Sequence, residues 1–173
     1  MVLIQKKELF YALNVLQKKN TNYYKTSCIN CSAGYYSNTS GTIECIKCQD
    51  GTYSEEGAKL CIKCPQGKIS NYDKISCINC LAGYYSNISG AIECIKCPNG
   101  TYSEAGAKSC SNCHPGTIPN DDKTSYINCL AGYYSKTSGA AECLNCPNGT
   151  YSEEGAISCA KCPPGTISDI SHK

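Results

Sequence analysis

The sequence predicts a small disulfide-rich fold: an elongated tandem array of short β-hairpin units with little hydrophobic core, plus a short N-terminal helix. Three observations carry that expectation. Cysteine fills 17 of 173 positions, close to the density of a short disulfide scaffold. Trp is absent and Phe and Met occur once each, so the chain cannot fill a conventional interior. CxxC pairs return at steps of 16 or 17 residues along almost the whole chain, and a fixed period of that kind is the mark of a repeat architecture.

The pairs begin at Cys28, Cys45, Cys61, Cys77, Cys94, Cys110, Cys143 and Cys159, with Tyr126 where a further first cysteine falls due. The steps run 17, 16, 16 and then repeat, which makes a larger repeat of 49 residues. Residues 1–27 are expected to hold a short N-terminal helix and a degenerate repeat remnant, followed by blocks at 28–76, 77–125 and 126–173, the last incomplete. Each block holds three smaller units, as in "CINCLAGYYSNISGAIE", "CIKCPNGTYSEAGAKS" and "CSNCHPGTIPNDDKTS" of the second. These three resemble one another less than the blocks do, as tandem duplication of a three-unit segment predicts.

At the N-terminus, Leu9, Phe10, Leu13 and Leu16 fall on one face of a short helix ending near Asn20. The segment is a poor signal peptide, because its apolar stretch is short, contains Asn14 and runs into Lys18 and Lys19 with no small-residue cleavage site. Shifted by 49, "LQKKNTNYYKTS" (16–27) lies on "PQGKISNYDKIS" (65–76), with Ala12 and Val15 in the places of Cys61 and Cys64. "CPPGTISDISHK" at the C-terminus stops partway through a unit. The expectation is an excerpt of a longer array, its signal peptide and any membrane anchor encoded outside this chain.

Within a unit, the CxxC is followed by a turn such as Pro98-Asn99-Gly100, where Pro presets φ and Gly accepts the left-handed region. Thr101-Tyr102-Ser103 suits a strand, Glu104-Ala105-Gly106 a second turn, and a second extended piece runs into the next Cys. The Tyr pairs 35–36, 84–85 and 133–134 are expected to pack on neighbouring bridges or strands. Small units that touch mainly their neighbours predict a rod.

The composition excludes several functions. A net charge of +2 with no lysine run offers nothing to nucleic acid or an anionic membrane. His114 and His172 have no counterparts in the other blocks, and the acidic residues recur on turns as a soluble exposed face, so neither an acid–base pair nor an enzyme is expected. A thioredoxin-like dithiol sits once, ahead of a helix, whereas this CxxC recurs in loops. An intracellular zinc-binding protein is the chemical rival, since paired CxxC motifs lie near zinc spacings. Zinc modules usually bring a helix or a basic surface, and this chain offers neither. Four sequons, at Asn38, Asn87, Asn99 and Asn148, favour export and disulfides. No metal or cofactor is expected.

Three connectivities are open. In a serial scheme the second Cys of each pair bonds the first of the next, giving Cys31–Cys45, Cys48–Cys61, Cys64–Cys77, Cys80–Cys94, Cys97–Cys110, Cys129–Cys143 and Cys146–Cys159. Tyr126 then leaves Cys113 unpaired, and Cys28 and Cys162 lack partners too. If whole pairs interlock instead, one frame frees Cys143 and the other Cys110. The serial scheme is favoured because a stretch such as 64–77 is a complete turn–strand–turn–strand loop that one bridge closes. It also predicts that losing one Cys opens one hairpin while the others stay pinned.

"CPNGTYSEEGAISCAKCPPGTIS" (146–168) closely resembles the ephrin-receptor-like cysteine-rich repeat, and "CPQGKISNYDKISC" (64–77) is similar to the first module of tumour-necrosis-factor-receptor cysteine-rich domains. Tandem arrays of this look, spanning 28–173 here, are typical of cysteine-rich surface antigens of ciliated protozoa. The resemblance implies a non-enzymatic extracellular or cell-surface rod that spaces, shields or presents loops to a protein partner or neighbouring surface proteins. The receptor families would imply a ligand-binding ectodomain fragment as the alternative.

Overall fold

In a computed structural model the described residues are 27–168. The expected N-terminal helix, nearly all of the 1–27 segment and His172 lie outside them. Among the described residues there is no helix. Sixteen strands of two or three residues form eight two-stranded hairpins, a small disulfide-rich fold.

The hairpins are built from the residues inside the CxxC pairs. Thr101–Tyr102 pairs antiparallel with Ser111–Asn112, and Tyr84–Tyr85 with Ile95–Lys96. The second strand therefore lies between two cysteines and not ahead of them, where the sequence placed it. The reason is geometric: the Cys97–Cys110 bridge holds its Cα atoms 5.8 Å apart and sets residues 111–112 beside the strand that follows Cys97. The Tyr pairs supply the first strands of three hairpins and are half-buried.

The described residues divide into two compact units, residues 27–78 with Ile88–Glu93, and Asn79–Asn87 with residues 94–168. In the first, the Gly57 N–H donates to the carbonyl of Cys31 (2.8 Å) and that of Gly90 to Cys64 (2.7 Å). In the second, the N–H groups of Gly106, Gly139 and Gly155 donate likewise to Cys80, Cys113 and Cys129 (2.8–2.9 Å). Five loops thus hand an N–H to the first cysteine of the loop before, whereas the 64–77 and 113–126 loops accept one, from Ser54 and Ser103, on the carbonyls of Lys74 and Lys123.

The contacts also reach further than the neighbour. Gly100 has φ +79°, a left-handed conformation that favours glycine. A Cβ there would collide with the carbonyl of Gly139, two loops on. The expectation that a loop touches mainly its neighbours needs that amendment within each unit.

The interior is sulfur and hydroxyl. The fully buried side chains are Cys64, Cys80, Cys97, Cys113, Cys129, Ser54, Ser86 and Ser135, whereas Ile46, Ile62 and Ile95 are about half exposed. Buried serines are tolerable because they are bonded: Ser54 and Ser103 Oγ donate to the carbonyls of Tyr35 and Tyr84 (3.0 Å), and Ser152 to Tyr133 (2.9 Å). Each such bond contributes about 0.5–1.5 kcal/mol net, and losing it would strand a buried hydroxyl.

Candidate functional site

Seven disulfides tie the described residues, each closing a loop whose ends are 13 or 14 residues apart with Cα atoms 5.7–5.8 Å apart. They join Cys31–Cys45, Cys48–Cys61, Cys64–Cys77, Cys80–Cys94, Cys97–Cys110, Cys129–Cys143 and Cys146–Cys159. Cys28, Cys113 and Cys162 are free thiols; Cys28 is exposed, Cys162 half-buried and Cys113 fully buried. An open cleft of about 440 Å³ lies beside Cys28, lined by Ile29, Asn30, Thr42 and Lys59 among others. No group of three or more His, Cys, Asp or Glu among the described residues is arranged to hold a metal ion.

The loop at 113–126 departs most from the repeat. It lacks a bridge, yet its hairpin stays paired: Thr117↔Asn128, Ile118↔Ile127 and Pro119↔Tyr126. Losing the cysteine has therefore not opened this hairpin, contrary to the expectation from sequence. Two features explain the tolerance. Its strands pair over three residues where the 97–110 loop pairs two. Its turn is also pinned from within, since Asn120 Oδ1 accepts from the N–H groups of Thr124 (2.9 Å) and Ser125 (3.2 Å). Lys123 enters the left-handed region there at φ +57°, as Lys74 does at φ +61° in the matching loop of the first block. The loop kind with the most backbone support is the one that has dispensed with its sulfur.

Tyr126 stands where the matching loop has Cys77. Its ring meets Tyr102 edge-on at 5.5 Å between centroids and His114 at 5.7 Å. His114 is exposed yet in contact, so the two residues that break the repeat most visibly touch each other. Beside them burial pushes the Cys113 thiol above its ordinary pKa. A thiol in that state reacts slowly, because the thiolate is the nucleophile. Alkylation of the oxidised native chain is expected to label Cys28 and Cys162 promptly, and Cys113 only once denaturant is added without reductant. Label on Cys110 or Cys143 in denaturant, with Cys113 protected, would refute the serial loops.

The four sequon asparagines, Asn38, Asn87, Asn99 and Asn148, are all exposed. Asn99 and Asn148 occupy the same turn in successive blocks. The corresponding residue of the first block is Asp50, bonded to Lys74, which holds its carboxyl below the usual range. Sequence reasoning passed over the buried serines Ser54, Ser103 and Ser152. Their one signal was recurrence in the fixed frame Thr-Tyr-Ser-Glu.

A family model described as "Tyrosine-protein kinase ephrin type A/B receptor-like" matches residues 67–113 and 132–172. Two curated relatives, each named Endosome/lysosome-associated apoptosis and autophagy regulator family member 2, from Mus musculus and Homo sapiens, are 46% identical over 41 residues. That alignment covers 24% of this chain and 4% of either relative.

Proposed function

This chain belongs to the ephrin type A/B receptor-like family of cysteine-rich repeats, and from that premise we propose that it is a non-enzymatic extracellular or cell-surface rod. It spaces or shields, and presents turn residues to a protein partner or to neighbouring surface proteins. Disulfides in this number belong to oxidising compartments, the cell exterior among them. The observation that supports the reading is the serial bonding of loops: seven of the eight close on their own bridge, five pass a glycine N–H to the first cysteine of the loop before, and the 64–77 and 113–126 loops accept an N–H from that loop instead. Units related in this way add along the chain.

Small-angle scattering of the oxidised full chain tests the rod. The expected radius of gyration is well above the roughly 16 Å of a compact chain of this length. A value near that figure would overturn it.

A ligand-binding ectodomain fragment is the second reading, favoured by one observation. The exposed pair His114 and Tyr126 gives the 113–126 loop a surface that the matching 64–77 loop does not have.

A further inference from the structure

Pro98-Asn99-Gly100-Thr101 and Pro147-Asn148-Gly149-Thr150 are one turn written twice. In each, the Thr N–H donates to the Pro carbonyl, at 3.3 and 3.0 Å. The Thr hydroxyl donates to that same carbonyl, at 2.8 and 2.6 Å, and the glycine sits at φ +79° or +80°. Asn99 is exposed, and its Oδ1 accepts from Lys123 Nζ at 2.9 Å. The same ammonium donates to the Cys97 carbonyl at 2.6 Å. In the first block Lys74 reaches the Oδ1 of Asp50 at the equivalent corner. In both corners the contact falls on one oxygen of the side chain, and the second atom on Cγ is left out of it. In Asn99 that second atom is Nδ2, the nitrogen to which an N-linked sugar is attached.

Resting on the extracellular reading above, we propose that Asn99 carries an N-linked oligosaccharide, with Asn148 as its counterpart, and that the sugar is added before the 97–110 loop closes. The donor is an oligosaccharide on a lipid pyrophosphate. Asn99 Nδ2 bonds to the anomeric carbon, the bond from that carbon to the pyrophosphate oxygen breaks, and the lipid pyrophosphate leaves. The Nδ2 proton passes to a base of the transferase.

A transferase must reach the sequon hydroxyl together with Nδ2. In the folded turn Thr101 is buried and its hydroxyl is committed to Pro98. The closed loop is therefore the wrong substrate and the open chain the right one. Afterwards the product fits without rearrangement, because Oδ1 keeps its bond to Lys123.

The test has two arms. The full chain, given a cleavable secretory signal and secreted from a eukaryotic cell, is checked by mass for its seven disulfides. It is then treated with peptide N-glycosidase in heavy-oxygen water. Heavy aspartate at 99 and 148 is expected, absent at 99 in Asn99→Gln. A secreted, fully bridged chain with unmodified Asn99 overturns the site, yet leaves the extracellular reading standing. That reading fails separately, if the secreted chain lacks the bridges. In the second arm, unglycosylated chain is offered to microsomal transferase either oxidised or reduced and alkylated. Modification at Asn99 of the reduced chain alone is expected; equal modification of both overturns the order of events.

Discussion

Reduction of the oxidised chain is expected to unfold its described residues completely, with loss of the hairpin circular-dichroism signal and no effect from a zinc chelator. A bridge closing a loop of about 14 residues contributes roughly 3 kcal/mol in the chain-entropy model, so seven contribute about 20 kcal/mol. That exceeds the net stability of a typical domain, about 5–15 kcal/mol. Little would remain to hold the chain. Its fully buried side chains are the cysteines themselves and serines, while the isoleucines of the CxxC strands stand half in solvent. The hairpins pair only two or three residues, and isolated two-stranded hairpins are marginal in water. A chain that keeps its structure in reductant and loses it to a chelator would show that the sulfurs hold metal and not one another.

The second large effect is expected at the missing bridge. Tyr126→Cys restores the cysteine of the matching 64–77 loop, and the register Pro119↔Tyr126 already holds position 126 at the end of its strand. Oxidation should reduce the free thiols among the described residues from three to two by consuming Cys113. The new bridge adds about 3 kcal/mol by the same reasoning, less about 1 kcal/mol for the edge-on contacts of Tyr126 with Tyr102 and His114. Urea unfolding should register a net gain of about 2 kcal/mol. If Cys113 and the introduced cysteine both stay alkylatable in denaturant, the strand ends are not at bridging distance.

How far the sequence could be read follows from the range of each interaction. Turn positions were legible because they depend on single residues: Gly100 and Gly106 fall where a left-handed φ is required, and the structure has it there. The hairpin class was legible from the CxxC period and the scarcity of large apolar residues. The exact strand was not. "IK" inside a CxxC looks like a spacer, and it becomes a strand only when the preceding bridge lays it beside Tyr84–Tyr85 or its equivalents. The buried serines were invisible for a related reason. Ser103 is held by a carbonyl 19 residues away, beyond any local pattern. Spacing alone also left three pairings open, since each obeys the same period. The aromatic contact of His114 with Tyr126 joins residues 12 apart, which sequence inspection could only register as two departures in one loop.

The bond from a second-turn glycine to the first cysteine of the loop before also bears on how a gene for such a chain can change length. Loops of the first two kinds offer that glycine N–H, as Gly106 and Gly139 do. The third kind does not: its second turn carries Lys74 or Lys123, whose carbonyl accepts from Ser54 or Ser103 instead. A crossover that removed one loop would set a lysine turn against a neighbour built to receive a glycine, whereas one that removed or copied 49 residues would meet the same partners at both ends. Copying or removing whole triplets of loops is therefore the change of length expected to keep every partner in place, and the 17, 16, 16 step of this chain fits it.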